Sequence, residues 1–136
     1  MDGTPVLHLN QLKVNEAWIA FKLNDDPIHT ERDGDFDLLA LMDAASCFIL
    51  SSTPVSTRQA EPTLLESKRL LKEGHAHKKR WPKTLFIPTE QPSRFLAEEA
   101  ERLGIGVVRI AEEQLSPFIG EAKELFGERF GSRGPQ

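Results

Sequence analysis

In the second half of this chain an apolar segment, a helical segment and another apolar segment follow one another, and this succession constrains the fold most. Residues 83–88 (KTLFIP) and residues 105–110 (IGVVRI) are short, nearly continuous apolar runs. Between them, Leu96, Ala100 and Leu103 recur at helical spacing. Strands joined by a helical crossover are parallel. The segment therefore predicts a βαβ unit whose two strands are buried in a sheet.

The first half of the chain predicts strands that pair antiparallel. Residues 17–23 (AWIAFKL) are rich in aliphatic and aromatic residues and end at the turn sequence NDDP. Residues 36–42 (FDLLALM) and 47–50 (CFIL) are separated by four residues, a spacing that suits a β-hairpin. Cys47 is expected to be a small buried residue of the second hairpin strand. Residues 6–9 predict a further short strand.

Two more segments predict helices. The first begins at Pro62 and runs to about Lys79. The leucines expected on its buried side are Leu64, Leu65, Leu70 and Leu71. The second is expected to begin at a cap formed by Ser116 and Pro117. The residues expected on its buried face are Phe118, Ala122, Leu125 and Phe126. Together the segments predict an α/β fold with a mixed sheet of about five strands, an antiparallel meander first and a parallel βαβ unit second, and about three helices.

The length of 136 residues fits one domain. We expect residues 1–128 to form a single α/β domain and residues 129–136 to be a frayed C-terminal tail. No apolar run is long enough for a transmembrane helix, and no secretory signal is recognisable. The single cysteine cannot form an internal disulfide, which fits a reducing compartment. We therefore expect a cytoplasmic location and no membrane partner.

Three stretches, taken in order, resemble a known architecture. Residues 18–23 have the place of a first core strand, residues 38–50 that of a second and third strand joined at an acidic turn, and residues 82–90 that of a fourth strand. By this order the chain resembles, from about Trp18 to Phe126, the catalytic core of integrases and transposases of the ribonuclease-H-like superfamily. The resemblance implies a three-stranded antiparallel meander followed by helix, strand, helix, strand and helix. A dinucleotide-binding fold is excluded because the turn after the first strand has no glycine.

The resemblance also implies where a metal site would lie. Enzymes of the family hold two metal ions between carboxylates on the first strand, after the fourth strand and on the last helix. The corresponding first-strand position in this chain, residues 21–23, has no acid. A Mg²⁺-dependent nuclease would therefore need an atypical set of catalytic carboxylates: Asp25, Asp26, Glu90 and Glu121. The interpretation that we favour is that the chain is not an enzyme and holds no metal or cofactor, and that Glu90 stabilises the start of the helix that follows it.

A basic stretch is the main candidate for binding. Residues 68–83 carry seven Lys or Arg and one acid, a net charge of +6, although the whole chain has a net charge of −4. The candidate nucleic-acid-binding residues are Lys68, Arg69, Lys72, Lys78, Lys79, Arg80, Trp81 and Lys83. The cations could follow a phosphate backbone while Trp81 stacks on a base. Alternatively the stretch is a solvated helix end with Trp81 folded back onto the core, or it meets an acidic protein surface.

These observations predict a small, non-catalytic ribonuclease-H-like domain that binds nucleic acid or a protein partner. The first alternative is the metal-dependent nuclease with an atypical carboxylate site. The second is a homo-oligomeric structural domain, in which an exposed strand at residues 18–23 or the last helix pairs across a symmetric interface.

Overall fold

The computed structural model describes residues 13–32 and 34–128. Its elements in chain order are β1 (Ala17–Lys22), β2 (Phe36–Asp43), β3 (Ile49–Ser56), α1 (Leu64–Lys78), β4 (Thr84–Pro88), α2 (Arg94–Arg102), β5 (Gly106–Ile110) and α3 (Glu112–Phe126). The strand expected at residues 6–9 and the tail expected at residues 129–136 lie outside the described residues. None of the three helices is long and apolar enough to cross a membrane.

The five strands form one mixed sheet in the order β3-β2-β1-β4-β5. β2 runs antiparallel to both β1 and β3, with Phe21 opposite Ala40. β4 runs parallel to β1 and to β5, with Trp18 opposite Leu85. The predicted antiparallel meander and parallel βαβ unit are therefore confirmed.

Central strand β1 is buried on both faces of the sheet, which explains its continuous apolar sequence. Trp18 and Ala20 belong to the core cluster that contains buried residues of α1 and α2. Ile19 and Phe21 belong to the other cluster, together with buried residues of α3. Because successive strand residues point to opposite faces, the sheet is covered by helices on both sides. The expectation that residues 18–23 form an exposed strand able to pair with another copy is wrong.

Helix α1 begins two residues later than the sequence predicted. The Thr63 hydroxyl accepts a hydrogen bond from the Glu66 backbone N–H (3.0 Å), and the Glu66 carboxylate accepts one from the Thr63 N–H (2.9 Å). This capping box, rather than Pro62, sets the start of the helix. It places Leu64 and Leu65 towards solvent, 44% and 67% exposed, so their predicted burial is wrong. The predicted burial of Leu70 and Leu71 is confirmed.

Four further predictions are wrong. Strand β5 lies at the edge of the sheet, so Val108 is 36% exposed although the strand was expected to be buried. Helix α3 begins at Glu112 and contains Pro117 inside it, so Ser116 and Pro117 do not cap it. Its Leu125 is exposed, whereas Phe118 is buried as predicted. Cys47 lies in the turn before β3 with φ 60° and is exposed rather than buried.

Candidate functional site

A cavity of about 340 Å³ lies where β1, β4 and β5 end. Open α/β sheets bind ligands in the crevice outside the carboxyl ends of their strands, so this is the first place to look for a site. The acids that line it are Asp25, Asp37, Glu61, Glu90 and Glu112, and the bases are Lys22 and Lys123. Asp25, Glu90 and Glu112 come two or three residues after β1, β4 and β5, whose carboxyl ends meet at this edge of the sheet.

The structure brings only half of the predicted nuclease carboxylates together. Asp25, after β1, and Glu90, after β4, both line the cavity, whereas Asp26 and Glu121 do not. Glu121 instead lies near Cys47. Burial is the main cause of a raised pKa of the Cys47 thiol, and the negative charges of Glu121 and Asp43 raise it further. Over residues 13–32 and 34–128, no group of three or more His, Cys, Asp or Glu is arranged to hold a metal ion.

Lys123 of α3 places a cation among the acids of the cavity. Its Nζ lies 2.8 Å from Asp25 Oδ1 and 3.0 Å from Glu112 Oε2, and its side chain is 17% exposed. Burial alone lowers the pKa of the ammonium group, but the hydrogen bonds to Asp25 and Glu112 outweigh this effect, so the pKa is raised above its ordinary value. The protein's own cation therefore bridges two of the carboxylates. No sequence signal pointed to Lys123.

Glu90 caps a helix, but not the helix that was predicted. Its Oε1 accepts a hydrogen bond from the Glu112 backbone N–H (3.0 Å), at the start of α3, and one from the Thr89 hydroxyl (3.2 Å). The bond from the Glu112 N–H is the main cause of a lowered pKa of the Glu90 carboxyl. The expectation that Glu90 stabilises α2, the next helix in sequence, is corrected: it stabilises α3, 22 residues later.

Gln91 extends the pairing of β1 with β4 through its side chain. The register between the two strands runs from Ala17 to Ile19 on β1. Beyond it, the Gln91 amide accepts a hydrogen bond from the Lys22 N–H (3.0 Å) and donates one to the Ala20 carbonyl oxygen (3.4 Å). A side chain thus takes the place of a β4 peptide group. Sequence analysis missed Gln91, because a polar residue after a strand has many ordinary explanations.

The predicted basic stretch lies along α1 and the segment after it. Six of its cations are exposed: Lys68, Arg69, Lys72, Lys79, Arg80 and Lys83. Lys78 is half-buried. In the part of the chain that the structure describes, none of the seven forms an ion pair. These cations therefore make no direct ion pair with the acidic segments of the described residues.

The aromatic residue of this surface differs from the predicted one. Trp81 is half-buried and packs against the core, with its ring 6.1 Å from that of Trp18 and 4.3 Å from that of His75. Phe48, which the sequence placed in a strand, lies in the turn before β3 and is 49% exposed. Its ring stacks on His77 of α1 at 5.0 Å.

Comparison with known proteins gives structural neighbours only. No protein-family model matches the chain, and no curated protein matches its sequence. The catalytic core domain of BIV integrase is similar with a TM-score of 0.53 and 11% identity, over 85% of this chain and 68% of that one. A chain of the simian T-cell lymphotropic virus intasome in complex with PP2A regulatory subunit B56 gamma is similar with a TM-score of 0.51 and 17% identity. The match covers 90% of this chain and 43% of that one. The chain has a ribonuclease-H-like fold. The HTLV-2 integrase catalytic core domain in complex with magnesium, in a dimeric form, has a TM-score of 0.49 and 14% identity. The match covers 91% of this chain and 79% of that one.

Within this ribonuclease-H-like fold the acid-lined cavity and the C-terminal part of the basic stretch lie at opposite ends of β1 and β4. The acid-lined cavity is at their carboxyl ends. The segment after α1 is at their amino ends, because the Arg80 carbonyl oxygen accepts from Asn15 Nδ2 and the Lys83 N–H donates to the Glu16 carbonyl oxygen. The acids of the cavity and the cations after α1 are therefore separated along the strand direction.

Proposed function

We propose that the chain is a non-catalytic ribonuclease-H-like domain that binds nucleic acid through the surface of residues 68–83. One observation carries the proposal: seven cations follow α1 and its C-terminal segment, and the described residues leave all of them without an ion pair. Phosphate neutralisation by Lys and Arg supplies most of the affinity of non-specific binding. A protein with a net charge of −4 needs such a localised surface if it is to bind a polyanion.

The arrangement of the cavity supports a non-catalytic domain. The Lys123 ammonium lies between Asp25 and Glu112 and would repel a divalent ion placed there. Glu90 already accepts the first backbone N–H of α3. The alternative proposal, a Mg²⁺-dependent nuclease built from Asp25, Asp26, Glu90 and Glu121, needs these interactions to be given up.

Fluorescence anisotropy with labelled oligonucleotides tests the proposal. We expect binding that weakens steeply as salt is raised from about 50 to about 200 mM. The double variant Lys72→Glu/Arg80→Glu should lose binding at the lower salt concentration. The control Arg32→Glu/Arg58→Glu makes the same change in net charge at exposed positions outside the surface, and should keep most of the affinity.

Two results would contradict the proposal. One is the absence of binding at low salt, which would favour an acidic protein partner or a homo-oligomer. The other is an equal loss of affinity in both double variants, which would show that net charge and not this surface matters. Oligonucleotide cleavage that appears only with added Mg²⁺ would support the nuclease instead.

A further inference from the structure

The C-terminal end of α1 carries an exposed pair of stacked rings. The Phe48 and His77 ring centroids are 5.0 Å apart with an interplanar angle of 24°. Both residues are exposed, Phe48 to 49%. The two rings come from different elements, the turn between β2 and β3 and the last turn of α1, so the fold itself holds the pair together.

Cations continue directly from this ring pair. Lys78, Lys79 and Arg80 follow His77 in sequence. Lys79 adopts a left-handed conformation, φ 67°, and its N–H donates to the His75 carbonyl oxygen, which ends the helix and turns the chain. Lys79 and Arg80 are both exposed. Rings and positive charges therefore share one end of the molecule.

We propose that this end binds single-stranded nucleic acid, with a base stacked on the Phe48–His77 pair and phosphates on Lys79 and Arg80. The inference rests on the proposed function and adds the kind of nucleic acid to it. Aromatic side chains beside a basic track bind unpaired bases, because every base has a face to stack, whereas the bases of a duplex already stack on one another. An acidic protein segment would use the cations but would leave the exposed rings without a role.

The proposed stacking pair replaces the one suggested by the sequence. Trp81 is the obvious stacking residue of a basic stretch, but its ring contacts the core and His75. Moving it out to meet a base would uncover the buried Trp18 beneath it. The Phe48 ring needs no such movement.

The test separates stacking from charge by comparing three probes of about 12 nucleotides: oligothymidine, an abasic oligomer with the same number of phosphates, and a duplex. We expect the wild type to bind oligothymidine about tenfold more tightly than the abasic oligomer. Phe48→Ala/His77→Ala should remove this difference and leave the affinity for the abasic oligomer unchanged. Leu65→Ala, at an exposed leucine on the other end of α1, is the control and should preserve the difference.

A further variant distinguishes the loss of stacking from a loss of folding caused by the double substitution. Phe48→Trp keeps a ring at the position and should retain the preference for oligothymidine. Equal binding of oligothymidine and the abasic oligomer by the wild type overturns the inference, and so does a preference that survives Phe48→Ala/His77→Ala. In both cases the proposed function stands, because charge-driven binding remains. If no probe binds at low salt, the proposed function and the inference fail together.

Discussion

Lys123 connects the turn after β1 to the start of α3 through one ammonium group. Its partners differ in exposure: the Asp25 side chain is 80% exposed and that of Glu112 is 46% exposed. Water therefore screens both interactions in part. We expect the bridge to stabilise the fold modestly and to hold the carboxylates of Asp25 and Glu112 in place.

Replacing Lys123 by methionine keeps most of the aliphatic stem and removes the charge. We expect Lys123→Met to lower the free energy of unfolding by about 1 kcal/mol, measured by urea denaturation. Lys22→Met is the matched control, because Lys22 lines the same cavity without an ion pair to any described residue. If Lys123→Met lowers the free energy of unfolding no more than Lys22→Met does, the bridge does not stabilise the fold.

Glu90 makes stability depend on pH in a predictable direction. Its pKa is lowered in the folded protein, chiefly by the Glu112 N–H, so the folded state favours the ionised form. This contribution is fully present above the ordinary pKa of a glutamate, about 4.3, and is lost as the pH falls through the lower folded value. Glu90→Gln should therefore be less stable than the wild type at pH values near neutral and should approach it in acid.

Urea denaturation of both proteins across this pH range measures the effect. Glu113→Gln removes the same charge from the first turn of α3 without removing the hydrogen bond to the Glu112 N–H, and serves as the control. A difference between Glu90→Gln and the wild type that does not change with pH would contradict the assignment.

Helix α1 packs closely on the sheet at Gly74. A Cβ at this position would lie 2.7 Å from Leu41 Cδ2 and 3.3 Å from Trp18 Cζ3. Both neighbours are fully buried, so neither can move without disturbing the core. Gly74 therefore has a packing role, although glycine weakens a helix.

The two helical glycines provide a matched pair of substitutions. Gly74→Ala should destabilise the protein by about 1–2 kcal/mol, because overpacking outweighs the gain in helix propensity. Gly120→Ala, in α3, meets nothing within 4 Å and should stabilise by about 0.5–1 kcal/mol. Thermal denaturation followed by circular dichroism measures both, and a higher melting temperature for Gly74→Ala would contradict the packing argument.

Sequence patterns predicted the strands, the antiparallel meander and the parallel βαβ unit, but not which strand of that unit lies at the edge of the sheet. Both β4 and β5 are short apolar runs, yet β4 lies between β1 and β5, whereas β5 pairs with β4 alone among the described strands. Nothing within residues 105–110 distinguishes an edge strand from a central one, because the strand order is set by the whole chain. The capping box at Thr63 was readable in the sequence, and it would have placed α1 correctly.

The same limit applies to the candidate site. Asp25 and Glu90 could be found because acids that follow strands collect at one edge of a sheet. Lys123 is 98 residues from Asp25 in sequence, and their contact depends on how α3 crosses the sheet. Phe48 was placed in a strand because CFIL is apolar, whereas the left-handed turn at Cys47 leaves it exposed.

The acids of the cavity and the cations after α1 lie at opposite ends of β1 and β4, so these two groups of charges form a dipole along the strands. In the field of a polyanion such a molecule experiences a torque before it makes contact, and its basic end turns to the front. An anionic protein can in this way approach an anionic partner productively. The torque fades once the Debye length, about 10 Å at 0.1 M salt, becomes short compared with the distance between the two ends.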